Sequence, residues 1–182
     1  MQKKVLSEID IYTGSADCPK NFEIDRKTIK NSILQSYATE RRISNNSKDY
    51  YLDYFIPSSK PLSWLHDYIR DHFNCDYHKG LIFKAQWGNV YKHDQQSFLR
   101  TTVEPLNLRG SPDYTLVYAV DIGQDSCDLI IEYNDNRRVN RTWPVPMKNN
   151  HFIMFPSIQK YFITPNQSKQ FNIFLTITYE FI

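Results

Sequence analysis

The stretch FPSIQKYFITPN, Phe155–Asn166, holds the end of one short strand and the whole of another. Its first residue closes the apolar run HFIMF (151–155), and KYFITP (160–165) follows after a brief turn. Pro156 and Pro165 cannot donate to a sheet ladder, so each marks a strand end. Working outward, more runs of the same kind appear. LRTTVEPL (99–106), YTLVYAVDI (114–122), CDLIIEYN (127–134) and RTWPVP (141–146) lie upstream, and FNIFLTITYEF (171–181) lies downstream. The clusters GQDS (123–126) and NDNRR (134–138) supply turns between them. Short strands in such close succession predict a sandwich or closed barrel and argue against a parallel α/β sheet. RTWPVP carries two prolines and is expected at an irregular edge.

The first half of the chain is different. Ile29, Ile33, Leu34 and Tyr37 recur at spacings of three and four, which predicts a helix over 24–41. SNNSKD (44–49) ends it, and DYYLDYFIP (49–57) reads as a strand closed by Pro57. A second helix follows, with Ser58 and Ser59 as candidate N-caps, Pro61 in the first turn and a stripe of Leu62, Leu65, Ile69 and Phe73. KGLIFKAQWGNVYK (79–92) switches to a period of two, with Gly88 as the expected kink. The predicted class is α+β, mainly β. The expected organisation is one domain over 1–182: an extended arm (1–24), a helical layer (25–78) and a jelly roll (79–182), with the helices on one face of the larger sheet.

Composition narrows the functions. With 41% hydrophobic and 23% charged residues over 182 positions, the chain is globular and long enough for a sizeable core. The 13 Tyr and 11 Phe suit a β-rich core and interfaces. A net charge of +2 is too small to point to nucleic acid. The cluster Arg137-Arg138-Val139-Asn140-Arg141 is expected as a solvated hairpin turn. Cys18, Cys75 and Cys127 are odd in number and widely spaced, which excludes a zinc knuckle and a disulfide framework and fits a reducing compartment. No apolar run approaches a membrane span, and the N-terminus lacks the apolar core of a signal peptide.

Chemistry-bearing motifs are missing as well. No phosphate-cradling glycine run and no nucleophile elbow is present. A facial metal triad needs two imidazoles and a carboxylate, and on a strand the first pair must sit at i and i+2. The five histidines, His66, His72, His78, His93 and His151, are followed at i+2 by Tyr68, Asn74, Gly80, Gln95 and Ile153. None of these is a carboxylate or a histidine.

Four pieces of the C-terminal half carry a resemblance. They are Trp87-Gly-Asn-Val-Tyr91, Tyr114–Val120, Phe155-Pro-Ser157 with Ile163-Thr-Pro-Asn166, and the final strand Phe171–Phe181. In this order they resemble the phage-type jelly-roll oxygenases that use Fe(II) and 2-oxoglutarate. The match covers about residues 83–182. The resemblance implies a metal-ligand pair within Phe98–Glu104, a third ligand four residues after Ser157, and an arginine clamp on the last strand. Those positions are held by Arg100 and Thr102, by Tyr161, and by Asn172 with Lys169 nearby. The resemblance therefore implies a degenerate member: no catalytic, cofactor-binding or metal-binding residues, and no cofactor. A permanent cation at Arg100 would repel Fe(II).

The leading expectation is accordingly a non-enzymatic structural or adaptor protein, a tailed-phage virion component of neck, tail or baseplate. It would be located in the virion, homo-oligomeric and partnered by other virion proteins, with no membrane and no nucleic acid. The alternative is an active Fe(II)/2-oxoglutarate oxygenase with an atypical triad drawn from His93, His151 and a carboxylate. A third reading is a sugar-binding module in which Trp64, Trp87 and Trp143 stack on sugars.

Overall fold

The computed structural model describes residues 9–16, 22–43, 53–77, 80–134 and 138–182. Expectations for 1–8, 17–21, 44–52, 78–79 and 135–137, the last including part of the expected hairpin turn, lie outside the described residues. Among those described, the elements run β1 (Tyr12–Ser15), α1 (Phe22–Ile43), β2 (Asp53–Phe55), α2 (Lys60–Tyr77), β3 (Leu81–Tyr91), β4 (Tyr114–Asp121), β5 (Asp128–Tyr133), β6 (Arg141–Pro146), β7 (His151–Pro156), β8 (Tyr161–Ile163) and β9 (Asn172–Phe181). The pairings between these strands are antiparallel. They build a large sheet in the order β1-β7-β4-β9-β3-β2 and a small sheet in the order β6-β5-β8. The protein is mainly β, with two helices on the large sheet, as the alternation predicted.

Alternation along the central strands sorts side chains into two cores. Leu116, Tyr118 and Val120 of β4 and Ile173, Leu175, Ile177 and Tyr179 of β9 face the helices. They pack with Ile29 and Ile33 of α1 and Leu62, Leu65, Ile69 and Phe73 of α2. The residues between them point the other way. Val117, Ala119 and Phe174 join Ile153 and Phe155 of β7, Leu129 and Ile131 of β5 and Tyr161 and Ile163 of β8 between the two sheets. Because β4 and β9 are covered on both faces, they read as nearly continuous buried runs.

Three local expectations are revised. LRTTVEPL is not a strand: Arg100 makes only an isolated bridge to Tyr161, because Pro105 stops any ladder and Leu106 and Leu108 point to solvent. The register shift in β3 falls between Phe83 and Ala85, not at Gly88. Gly88 stays in register with Tyr54 and Leu175, and its missing side chain makes room for α1: a Cβ there would lie 2.6 Å from Ile33 Cγ2. Ser59 precedes α2 and its carbonyl accepts from Ser63 N at 2.9 Å, but its buried hydroxyl makes no hydrogen bond. An N-cap side chain bonds the second or third helical N–H, and the second residue here is Pro61, which has none. Within the expected arm, Tyr12–Ser15 is edge strand β1, paired with β7. RTWPVP does form the edge strand β6, where its prolines interrupt no central ladder.

Candidate functional site at the mouth between the sheets

The inward faces of β3 and β9 change character along their length. Tyr91 and Phe174 are apolar and fully buried, whereas Asn89, Thr176 and Thr178 are polar. The polar end opens at the mouth between the sheets, where β2 and residues 98–102 meet it.

The backbone bridge places Arg100 beside Tyr161. Arg100 Nη1 donates to Asp53 Oδ1 at 2.8 Å and to Oδ2 at 2.7 Å. Asp53 Oδ1 also accepts from Asn89 Nδ2 at 2.6 Å, and Asn89 Oδ1 accepts from Thr176 Oγ1 at 2.8 Å. One chain of hydrogen bonds thus ties β9, β3, β2 and the 98–102 segment together. The guanidinium carbon lies 5.9 Å from the Trp87 ring centroid and 5.6 Å from that of Tyr161, within range of attraction to both ring faces. Burial opposes the charge on Arg100, but Tyr161, Tyr91 and Asp53 outweigh it and its pKa is raised. Arg100 is a permanent cation. Burial raises the Tyr161 pKa despite the nearby guanidinium, so its phenol stays protonated.

Thr102 hydrogen-bonds Thr115 through their hydroxyls, and Thr115 bonds Ser157 Oγ at 2.8 Å. Asn172 lies elsewhere. The register places it opposite Tyr91, four residues along β9 from Thr176, or ~13 Å at the rise of a strand. Its Oδ1 accepts from Gly123 N at 3.0 Å and its Nδ2 donates to Ser126 Oγ at 2.9 Å and Cys127 Sγ at 3.2 Å. It ties the start of β9 to the β4–β5 turn. The Cys127 thiol beside it is pushed up to about 11 by burial and is inert.

The fold thus brings Arg100, Thr102 and Tyr161 to one end of the barrel and Asn172 to the other. These residues do not fit a divalent iron. Arg100 contributes a positive charge, and Thr102 and Tyr161 offer neutral hydroxyls. Among the described residues, no three His, Cys, Asp or Glu side chains converge as a metal site. His93 sits beyond β3, its ring 3.4 Å from Asp94, while His151 opens β7 opposite Ser15, so the atypical triad is not assembled from them. Nor does Asn172 fit a carboxylate clamp, being uncharged and bonded on both amide atoms.

Three buried polar atoms at the mouth, Trp87 Nε1, Arg100 Nε and Tyr161 Oη, have no hydrogen-bond partner. Ser59 Oγ is the one other such side-chain atom among the described residues. Each orphan costs on the order of 1–3 kcal/mol, so the expense is concentrated at the mouth. Beside them opens a cleft of about 350 Å³, lined chiefly by Lys84, Trp87, Arg100, Thr101, Glu104 and Thr178. Sequence reasoning located Arg100, Thr102 and Tyr161 but missed Asp53 and Asn89. Asp53 stands 47 residues before Arg100 on a three-residue strand, and no periodicity links the two.

No family model and no curated protein sequence matches the chain. Solved structures do match its fold. The α-ketoglutarate-dependent carbocyclase SnoK from nogalamycin biosynthesis superposes with a TM-score of 0.65 at 10% identity, over 93% of this chain and 78% of that one. The collagen prolyl hydroxylase vCPH of Paramecium Bursaria Chlorella virus-1 gives 0.60 at 12% identity, over 93% and 94%. A Pseudomonas putida prolyl-4-hydroxylase gives 0.58 at 12% identity, over 93% and 91%. The architecture is therefore that of the 2-oxoglutarate/Fe(II) oxygenases. This corrects the expectation of a non-enzymatic virion building block. The strand order and turns behind that expectation belong equally to enzymes, and the structures matched here are enzymes.

Proposed function

We propose that this chain binds a small polar molecule at the mouth of an oxygenase-type barrel through its own side chains, with no metal among the groups that hold it. In this reading it is a degenerate member of the oxygenase-like family. The observation that carries the proposal is the Arg100–Asp53 pair. A guanidinium held 2.7 Å from its carboxylate stands at the position that the resemblance gives to the first metal ligand. The cleft beside it provides space for a ligand, and the orphaned donors make the site costly to keep without a role.

A second reading, an Fe(II)/2-oxoglutarate oxygenase with an unfamiliar triad, is favoured by the enzymes that share the fold. Native mass spectrometry of the protein, prepared without oxygen in the presence of Fe(II) and 2-oxoglutarate, separates the two. The expected spectrum shows protein with neither bound. A complex carrying one iron and one 2-oxoglutarate would overturn the proposal and favour the oxygenase, and iron-dependent succinate formation would then establish its activity.

A further inference from the structure

Resting on the metal-independent reading above, we infer that the mouth cleft is a saccharide site: it takes a neutral, polyhydroxylated ring seated against Trp87 and the Arg100–Asp53 pair. Charge is the first argument. The cations on the cleft wall are matched, Arg100 by Asp53 at 2.7 Å and Lys84 by Glu180 at 3.2 Å, and the Glu104 carboxylate adds to the negative side. An incoming anion meets Asp53 and Glu104, and an incoming cation meets Arg100 and Lys84. A neutral ligand pays neither repulsion.

The second argument is hydrogen-bonding capacity. Arg100 beside Asp53 presents donors and acceptors side by side, the pattern that a vicinal pair of hydroxyls satisfies. Thr101 and Thr178 line the same wall, and their hydroxyls make only long bonds, each 3.4 Å, to Val103 O and Ala85 O. At that length they are readily exchanged for a ligand hydroxyl.

The third argument is aromatic. Trp87 is the one tryptophan on the cleft wall. Trp64 packs against the helix-side core and stacks on Tyr68 at 5.2 Å, and Trp143 lines a separate apolar cleft with Ile9, Ile11 and Tyr133. The three tryptophans are therefore not one platform. The cleft at Lys30, Asp121 and Phe171 has charge but no tryptophan, and among the described residues the Trp143 cleft is lined by no charged group. The mouth cleft has both. Its volume of about 350 Å³ accommodates a single sugar ring.

The test is a ¹H–¹⁵N spectrum of the full chain, in which the three tryptophans give three indole signals, that of Trp87 assigned from Trp87→Phe. Methyl glycosides of glucose, mannose and galactose, and N-acetylglucosamine, are titrated into the tens of millimolar, with acetate and inorganic phosphate in parallel. The expected result is a saturable shift of the Trp87 indole with at least one sugar and no response to either anion. Glu104→Gln, at an exposed position, should weaken that sugar roughly tenfold or more. Silence with all four sugars overturns the inference, and so does a saturable response to acetate or phosphate. Iron and 2-oxoglutarate uptake in the mass spectrum overturns the metal-independent reading itself. Silent sugars without iron uptake overturn only the saccharide assignment.

Discussion

A guanidinium and a carboxylate joined at 2.7 Å at a barrel mouth are tolerable together and costly apart. Arg100→Met should destabilise the protein by about 1–3 kcal/mol in urea denaturation, because it leaves the Asp53 charge without its partner. Adding Asp53→Asn to that variant should recover much of the loss, since both charges are then gone. Strictly additive losses would mean that the pair is not coupled. Tyr161 gives a prediction of opposite sign. Its hydroxyl is buried and unbonded, so Tyr161→Phe should leave stability unchanged or raise it by up to about 1 kcal/mol. A clear loss in the same denaturation series would show that the hydroxyl has a partner in solution.

The packing of α1 on the large sheet depends on one position in β3. Gly88 lies under Ile33, which is fully buried and has no room to retreat. Gly88→Ala should cost about 1–3 kcal/mol of stability by overpacking. Ile33→Ala in the same chain should relieve part of that cost, although it leaves a cavity when made alone. If the two substitutions prove additive, the contact between α1 and β3 is not the source of the loss. Sequence periodicity found both helices, because Leu62, Leu65, Ile69 and Phe73 repeat at helical spacing and meet one surface. It misjudged Gly88 because a glycine that admits a neighbouring helix has the same local signal as one that bends a strand. It also read LRTTVEPL as a strand, since alternation along a chain says nothing about whether a partner edge is available.

The joint between α2 and the large sheet makes stability depend on pH. His66 Nε2 lies 2.9 Å from Gln86 Oε1 and Nδ1 lies 3.1 Å from the Tyr179 hydroxyl. Burial lowers the His66 pKa below 6.5, with Gln86 pulling weakly the other way. The unfolded chain therefore binds the proton first. The His66 contribution is fully present above pH 6.5 and is lost as pH falls toward the lowered folded value. Thermal unfolding followed from pH 8 to 5 should show this decline, and His66→Gln should flatten it. An equal slope in that variant would assign the dependence to other groups. By itself the sequence determined the strand-rich fold and the two helices, because alternation, helical spacing and turn residues are local signals; the positions Arg100, Thr102 and Tyr161 came from the family resemblance alone. Only the tertiary structure decided that Asp53 answers Arg100, that Asn172 is turned away to Ser126 and Cys127, and that Trp87 alone of the three tryptophans meets the mouth. Those pairings depend on which strands lie side by side, which no short-range pattern records.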